Sequence, residues 1–141
     1  MKRITSLKCE FIEYIPEELK DGVIYISINF RTSIHKCCCG CGKEVVTPLS
    51  PTDWELVFDG QSISLYPSIG NWSFECQSHY WIRRNKVIWA PPMSGEEIQF
   101  IRTRDHRARE RYYDGIKTSY DISRVNEPKE KIWQRLKKRL G

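Results

Sequence analysis

Residues 79–90 read HYWIRRNKVIWA, and this stretch indicates the fold. Two runs of aromatic and β-branched residues, HYWI and VIWA, flank the polar tetrapeptide RRNK at residues 83–86. Aromatic and β-branched residues favour strands, and a short polar segment between two such runs favours a tight turn. The stretch therefore predicts two antiparallel strands joined as a short hairpin.

Further strand-like runs precede this hairpin, and turn-forming residues separate them. They are LKCEFIEYIP at 7–16, VIYISINF at 23–30, EVVTPL at 44–49, WELVF at 54–58 and SISLY at 62–66. We expect the first two runs to pair as a hairpin or meander, and the last two to pair as a hairpin. Turn signals every 8–12 residues or so favour an all-β core over alternating strands and helices.

The pattern changes after Pro92. Ser94 is a suitable helix N-cap, acidic residues follow it, and apolar residues then recur at helical spacing, which predicts a helix over residues 95–114. Residues 116–127 have no clear period and predict a linker or irregular arm. Residues 128–141, PKEKIWQRLKKRLG, have the pattern of a basic amphipathic helix.

The composition sets the class of protein and the compartment. The chain has 141 residues, of which 40% are hydrophobic and 12% aromatic, too many for a disordered chain. No apolar run approaches the 18 or so residues of a membrane helix, and charges stand where a signal peptide would be apolar. We therefore expect a cytoplasmic, globular protein without a membrane segment.

The net charge of +5 falls entirely in the C-terminal third. Residues 1–93 contain 10 basic and 10 acidic side chains, whereas residues 94–141 contain 13 and 8. Together with the strand pattern, this split predicts a β domain over residues 1–93 and a basic helical extension over residues 94–141.

Four of the six cysteines lie within five positions, at Cys37, Cys38, Cys39 and Cys41. A reducing compartment disfavours disulfides, so the cluster is more typical of a metal site. Cys38 and Cys41 have the two-residue spacing of a zinc knuckle. Alternatively, an extended segment would direct Cys37, Cys39 and Cys41 to the same side.

Cys76 and His79, with two residues between them, supply a second pair of candidate ligands. Thiolates and imidazole are the ligands that Zn²⁺ prefers, and four of them in a tetrahedron are the usual arrangement. The cysteine cluster and this second pair can meet if the strands between them form a hairpin that brings the chain back to the cluster. We expect a small antiparallel β domain stapled by zinc and followed by C-terminal helices. A closed site would only stabilise the fold, whereas a catalytic zinc keeps one position open for water.

Polar side chains near the cysteines are candidates for chemistry. His35, Glu44, Ser68 and Ser78 can each act as general base, oxyanion donor or additional ligand. Each also has a structural interpretation: Glu44 as a solvated strand residue, Ser68 as a turn residue, and Ser78 as a hydrogen-bond donor to a cysteine sulfur.

Three motifs resemble those of a family of small bacterial domains of formerly unknown function. They are HKCCCGCG at 35–42, PSIGNW at 67–72 and CQSHYWI at 76–82, and the likeness extends over residues 11–90. The family is recognised by CxCGCG, PSIGNW and CxSH[YF]WI, and its members are encoded beside bacterial ubiquitin-like conjugation genes. The resemblance implies a zinc-dependent peptidase that trims the ubiquitin-like protein or removes it from targets.

The resemblance also implies a ligand set. The family's metal motif corresponds here to Cys37, Cys39, Cys41, Cys76 and His79. A recurring histidine corresponds to His35, whereas Cys38 stands where other members have unrelated residues. The segment after Pro92 lies outside the resemblance.

Two functions are consistent with these features. The first is a zinc metallopeptidase in which zinc activates water and polarises the carbonyl, assisted by His35, Glu44 or Ser78. Its partners are a ubiquitin-like protein, the conjugates of that protein and the conjugation enzymes, and the modifier's tail pairs with an edge strand near HYWIRR. The second is a non-catalytic zinc-stapled module that contacts nucleic acid or a protein through the basic tail. The acidic residues interspersed in that tail disfavour nucleic acid.

Overall fold

The computed structural model describes residues 2–125, and side chains as far as residue 116. Within this part the chain forms eight strands and one helix. They are β1 (Lys8–Phe11), β2 (Val23–Ser27), β3 (Thr32–Lys36), β4 (Glu44–Pro48), β5 (Glu55–Phe58), β6 (Ile63–Gly70), β7 (His79–Arg83), β8 (Lys86–Trp89) and α1 (Gly95–Val125). The expected mainly β class is confirmed.

The first sheet has the order β1-β2-β3-β4. β3 is antiparallel to both neighbours, but β1 runs parallel to β2, with Lys8 opposite Val23 and Phe11 opposite Ile26. The predicted hairpin or meander between the first two runs is therefore wrong. Residues 12–22 are long enough to carry the chain back past β1 before β2 begins, which a parallel pair requires.

β3 was not predicted, although it occupies the middle of this sheet. Its sequence TSIHK contains two polar residues, Ser33 and His35, that are fully buried. Ser33 hydrogen-bonds to Thr47 of β4, and His35 to Tyr80 of β7. Buried polar groups with such partners are stable in a core, but they remove the hydrophobic alternation that identifies a strand.

The second sheet consists of β5, β6, β7 and β8 in that order, each antiparallel to the next. Both predicted hairpins are present, with Phe58 opposite Ile63 and Arg83 opposite Lys86. The two residues between Arg83 and Lys86 have positive φ angles of 49° and 66°, as a tight hairpin turn requires.

β7 is an inner strand of the second sheet, which bears on where a peptide could pair with it. HYWIRR forms β7, which is paired with β6 on one side and β8 on the other. The segment itself therefore has no free edge, and the pairing of an extended peptide with an edge strand near it stays a prediction. The outer strands of this sheet are β5 and β8.

Residues of both sheets share one hydrophobic core. Ile24 and Ile26 of β2 lie in the same buried cluster as Leu65 of β6 and Tyr80 and Ile82 of β7. All five are fully buried. The cluster fixes one sheet against the other.

The chain divides into two units, residues 1–98 and 99–141, and all strands belong to the first. The proposed domain boundary between residues 93 and 94 remains a prediction. No helix in the described part of the chain is long and apolar enough to cross a membrane.

α1 begins with a capping box. The Glu97 amide donates to Ser94 Oγ at 3.2 Å, and the Ser94 amide donates to Glu97 Oε2 at 3.2 Å. The helix continues beyond residue 114 to Val125, so the linker predicted over residues 116–127 is wrong as far as residue 125. A glycine such as Gly115 costs a helix only about 1 kcal/mol, which is too little to end it. The helix predicted over residues 128–141 lies outside the described residues.

Candidate functional site

Four cysteines converge from two connections between strands. Cys37, Cys39 and Cys41 lie between β3 and β4, and Cys76 lies between β6 and β7. All four Sγ atoms are within 4.8 Å of one another. The Cys37 sulfur is 3.4 Å from that of Cys39 and 3.8 Å from that of Cys76.

A tight turn brings the first three cysteines together. The Gly40 amide donates to the Cys37 carbonyl at 3.1 Å, and the Cys41 amide donates to the Cys39 sulfur at 3.3 Å. Gly40 and Gly42 have φ angles of 91° and 81°, which favour glycine. The set with common parity is therefore the one that converges, but a turn and not an extended segment brings it together.

The geometry of the group fits a metal ion. Four sulfurs bound tetrahedrally at about 2.3 Å would be about 3.8 Å apart, close to the distances between these thiols. Burial raises the pKa of the Cys37 thiol. Burial also acts to raise the pKa of Cys76, but hydrogen bonds from Ser78 and the neighbouring thiols outweigh it and bring that pKa to about 7. The group can hold a metal ion through four thiolates.

Cys38 is separate from this group. It is fully buried in the hydrophobic core, where burial raises its pKa to about 12. The zinc-knuckle alternative, which required Cys38 as a ligand, therefore does not describe the group that forms.

The structure does not bring His35 or Glu44 into the four-cysteine group. His35 is fully buried, its Nε2 lies 2.7 Å from the Tyr80 hydroxyl, and burial lowers its pKa to about 4. Glu44 is an exposed residue at the start of β4, opposite Lys36. Of the proposed catalytic residues, His35 therefore lies in the core and Glu44 on the surface.

Ser78, the third proposed catalytic residue, is buried beside the cysteines. Its hydroxyl lies 3.1 Å from the Cys37 sulfur and 3.4 Å from the Cys76 sulfur. Asn71 Nδ2 donates to the same hydroxyl at 2.9 Å. These contacts correspond to the structural interpretation, in which Ser78 is a hydrogen-bond partner of a ligand.

His79 lies outside the four-cysteine group and contacts a serine instead. Its Nε2 is 2.8 Å from Ser68 Oγ, the distance expected between a nucleophile and its base. Burial lowers the pKa of His79, which favours the neutral imidazole that can accept a proton. Its Nδ1 is buried and has no hydrogen-bond partner among the described residues.

An irregularity in β6 directs Ser68 toward the histidine. Leu65 is opposite Ile82 and Ile69 is opposite Tyr80, so three residues of β6 span one residue of β7. Bulges of this kind redirect a side chain and are frequent beside active sites. Ser68 is the last residue of the bulge.

Two indole rings hold the imidazole of His79. The ring centroids of Trp72 and Trp81 lie 4.9 Å and 5.4 Å from that of His79. Trp72 can occupy this place because residue 70 is a glycine. A Cβ atom at Gly70 would lie 2.5 Å from Trp72 Nε1 and overlap the ring.

Ser68 lines a cavity of about 720 Å³. Arg83 stacks on Tyr66 with its guanidinium carbon 3.8 Å from the ring centroid, and it donates to the Leu65 and Ile82 carbonyls. Aromatic rings and proline form much of the wall, and two acidic residues accompany the one arginine. The lining residues are Ser50, Pro51, Asp53, Trp54, Glu55, Tyr66, Pro67, Ser68, Trp81 and Arg83.

From the sequence alone, the two residues are separate candidates. Ser68 is a candidate base, oxyanion donor or ligand, or else a turn residue, and His79 is a candidate metal ligand. The signal that connects them is the hairpin between SISLY and HYWI. Once these runs pair, residues shortly before and after the intervening loop must face each other. The bulge that aligns the two side chains contains Pro67, and a proline inside a strand is a sequence sign of a bulge.

Comparison with known proteins gives one family. No curated protein and no solved structure matches the chain. A family model described as "Bacterial ubiquitination-like system serine protease (BubE)" matches residues 11–90. This confirms the expected link to a bacterial ubiquitin-like system, the span of the likeness and the protease class, but the description names a serine protease. The chain belongs to the BubE family of serine proteases of bacterial ubiquitination-like systems.

Proposed function

We propose that this protein is a serine protease that cleaves a ubiquitin-like protein or its conjugates, with Ser68 as nucleophile and His79 as general base. The observation that carries the proposal is the 2.8 Å contact between Ser68 Oγ and His79 Nε2 at the wall of a cavity. Membership in a serine protease family supports it independently.

The proposed reaction follows from the two side chains. Ser68 Oγ attacks the scissile carbonyl while His79 Nε2 accepts the hydroxyl proton. The tetrahedral intermediate collapses to an acyl ester on Ser68, and His79 returns the proton to the leaving amine. Water then attacks the ester with His79 again as base, which releases the carboxylate product and restores Ser68.

The protonation state of His79 is compatible with this role. Nε2 can accept the serine proton only if the neutral ring carries its own proton on Nδ1. Burial lowers the pKa of His79 below its ordinary value of 6.5, so the ring is neutral at pH 7. The two residues thus act as a dyad, because Nδ1 has no partner among the described residues.

The four cysteines hold zinc in a structural role in this proposal. Four thiolates fill a tetrahedron and leave no position for a reactive water, whereas a catalytic zinc keeps one open. Zinc-dependent hydrolysis at this group would require one cysteine to dissociate. The zinc therefore stabilises the fold, and the chemistry takes place at Ser68.

The cavity beside Ser68 is the proposed site of the substrate chain. Its volume and its aromatic walls, formed by Trp54, Tyr66 and Trp81, suit an extended peptide segment and not a whole folded domain. The segment would be the C-terminal tail of the ubiquitin-like protein, the part of a folded modifier that can enter a cavity of this size.

The proposal is tested with the purified protein and a precursor form of a ubiquitin-like protein from the same system. We expect Ser68→Ala and His79→Gln each to lower kcat by about 10³-fold or more with zinc content unchanged. Ser73→Ala, at an exposed serine in the connection between β6 and β7, is the matched control and is expected to keep full activity.

The outcome distinguishes the serine from the zinc mechanism. A fluorophosphonate loses fluoride when an activated serine oxygen bonds to its phosphorus. It is expected to label Ser68 in the wild-type protein and not in His79→Gln. Normal cleavage by the Ser68→Ala variant would refute the proposal and favour catalysis at the metal.

A further inference from the structure

A buried network of hydrogen bonds joins the four-cysteine group to the proposed base. Ser78 directly precedes His79 in the chain, and its hydroxyl contacts the sulfurs of Cys37 and Cys76 at 3.1 Å and 3.4 Å. Asn71 Nδ2 lies 2.9 Å from the same hydroxyl and 3.7 Å from the Cys37 sulfur. Asn71, Ser78 and Cys37 are each at most 7% exposed.

Backbone hydrogen bonds also join the segment of Asn71 to that of Ser78 and His79. The Asn71 amide donates to the Ser78 carbonyl at 2.8 Å, and the next pair outward is Gly70 opposite His79. The loop that this pair closes contains Cys76, where the chain bends through Gln77 at a φ of 43°. His79 is therefore covalently next to a residue that is one hydrogen bond from two of the four sulfurs.

Metal binding would give each member of the network a single role. Metal-bound cysteines are thiolates, which accept hydrogen bonds but do not donate them. The Ser78 hydroxyl has one proton, which it donates to a thiolate, and its oxygen accepts from Asn71. With no metal, the sulfurs separate or become donors, and the hydroxyl loses its fixed orientation.

We propose that Ser78 is a positioning residue through which occupancy of the four-cysteine site controls catalysis by Ser68 and His79. The inference rests on the proposed function. Loss of the metal disables the protease because His79 moves away from Ser68, although the metal itself never contacts the substrate. A displacement of about 1 Å at such a pair is enough to lower the rate about 10²-fold.

The first experiment replaces Ser78 by Ala in the zinc-loaded protein, with Ser73→Ala as the control. All four cysteines remain in both variants, so full zinc content is expected in both. For Ser78→Ala we expect kcat to fall about 10- to 100-fold with KM changed less than about twofold. The acidic limb of the pH profile is expected to shift, because His79 loses its fixed surroundings, whereas a merely structural change would leave the limb in place.

The second experiment does not depend on the folding of a variant. Zinc is removed from the wild-type protein by a chelator and then restored, and the rate at which a fluorophosphonate labels Ser68 is followed beside the melting curve. We expect labelling to slow at least tenfold at a temperature where the zinc-free protein remains folded, and to recover when zinc is restored.

The two proposals fail in different ways. Cleavage that survives Ser68→Ala refutes the serine mechanism and, with it, the role of Ser78. If Ser68→Ala is inactive but Ser78→Ala keeps the wild-type kcat and pH profile, only the inference about Ser78 is overturned. Unchanged labelling of Ser68 in folded, zinc-free protein overturns it as well.

Discussion

Replacing Gly70 by Ala adds one methyl group and tests whether Trp72 holds His79 in place. The new Cβ atom would lie 2.5 Å from Trp72 Nε1, well inside ordinary contact, and an indole cannot bend away as a flexible side chain does. Gly70 does not have a positive φ angle, so backbone strain makes no contribution. The whole effect arises from displacement of Trp72, which packs on His79 with ring centroids 4.9 Å apart.

Overpacking of this kind costs about 1–3 kcal/mol, and each kcal/mol lowers the melting temperature of a domain of this size by about 4–8 °C. We therefore expect the melting temperature to fall by about 4–24 °C. We also expect kcat to fall by about tenfold or more, because Trp72 no longer holds the imidazole of His79. Melting is followed by circular dichroism and kcat by cleavage of the ubiquitin-like precursor.

The control is the same substitution at Gly115, where a Cβ atom meets nothing within 4 Å. Ala favours a helix interior over Gly by about 1 kcal/mol, so Gly115→Ala is expected to be neutral or stabilising. Trp72→Ala should cost less stability in the Gly70→Ala background than in the wild type, since in that background it also removes the overlap. Wild-type melting and kcat in the Gly70→Ala variant would show that Trp72 does not hold His79 in place.

Two further predictions concern the base and the metal ligands. Because burial lowers the pKa of His79, kcat/KM is expected to rise with pH through a limb below pH 6.5 and to level off by pH 7. A limb centred above pH 7 would contradict the assignment. Cys76→Ser is expected to lower both zinc content and melting temperature, whereas Cys38→Ala keeps full zinc content and loses only core packing. Metal analysis distinguishes them, and equal zinc loss in both variants would contradict the four-cysteine group.

The sequence predicts the second sheet well because its signals are local. In HYWIRRNKVIWA, both strands and the turn between them lie within twelve residues, and the pairing of β7 with β8 follows from them. The parallel pairing of β1 with β2 cannot be predicted from neighbouring residues in this way. It depends on the path of residues 12–22, which only tertiary packing determines.

At the candidate site, too, local sequence signals predict some features and miss those that depend on tertiary packing. Composition and the expected reducing compartment lead to the prediction of a thiolate metal group, and the common parity of Cys37, Cys39 and Cys41 selects the three that converge with Cys76. His79 has the spacing of a fourth ligand, yet its ring contacts Ser68. The bulge in β6 aligns Ser68 with that ring, and Pro67 marks it in the sequence, but the composition of the run PSIGN favours a turn instead.

The four-cysteine group also bears on the order in which the protein matures. Ser68 and His79 lie on neighbouring strands, so short-range folding can bring them close together. The cysteines in contrast come from the first sheet and from a loop of the second, and they meet only after both sheets have docked. If the metal sets the final position of His79, a newly made or metal-starved chain stays inactive until its whole β unit is complete.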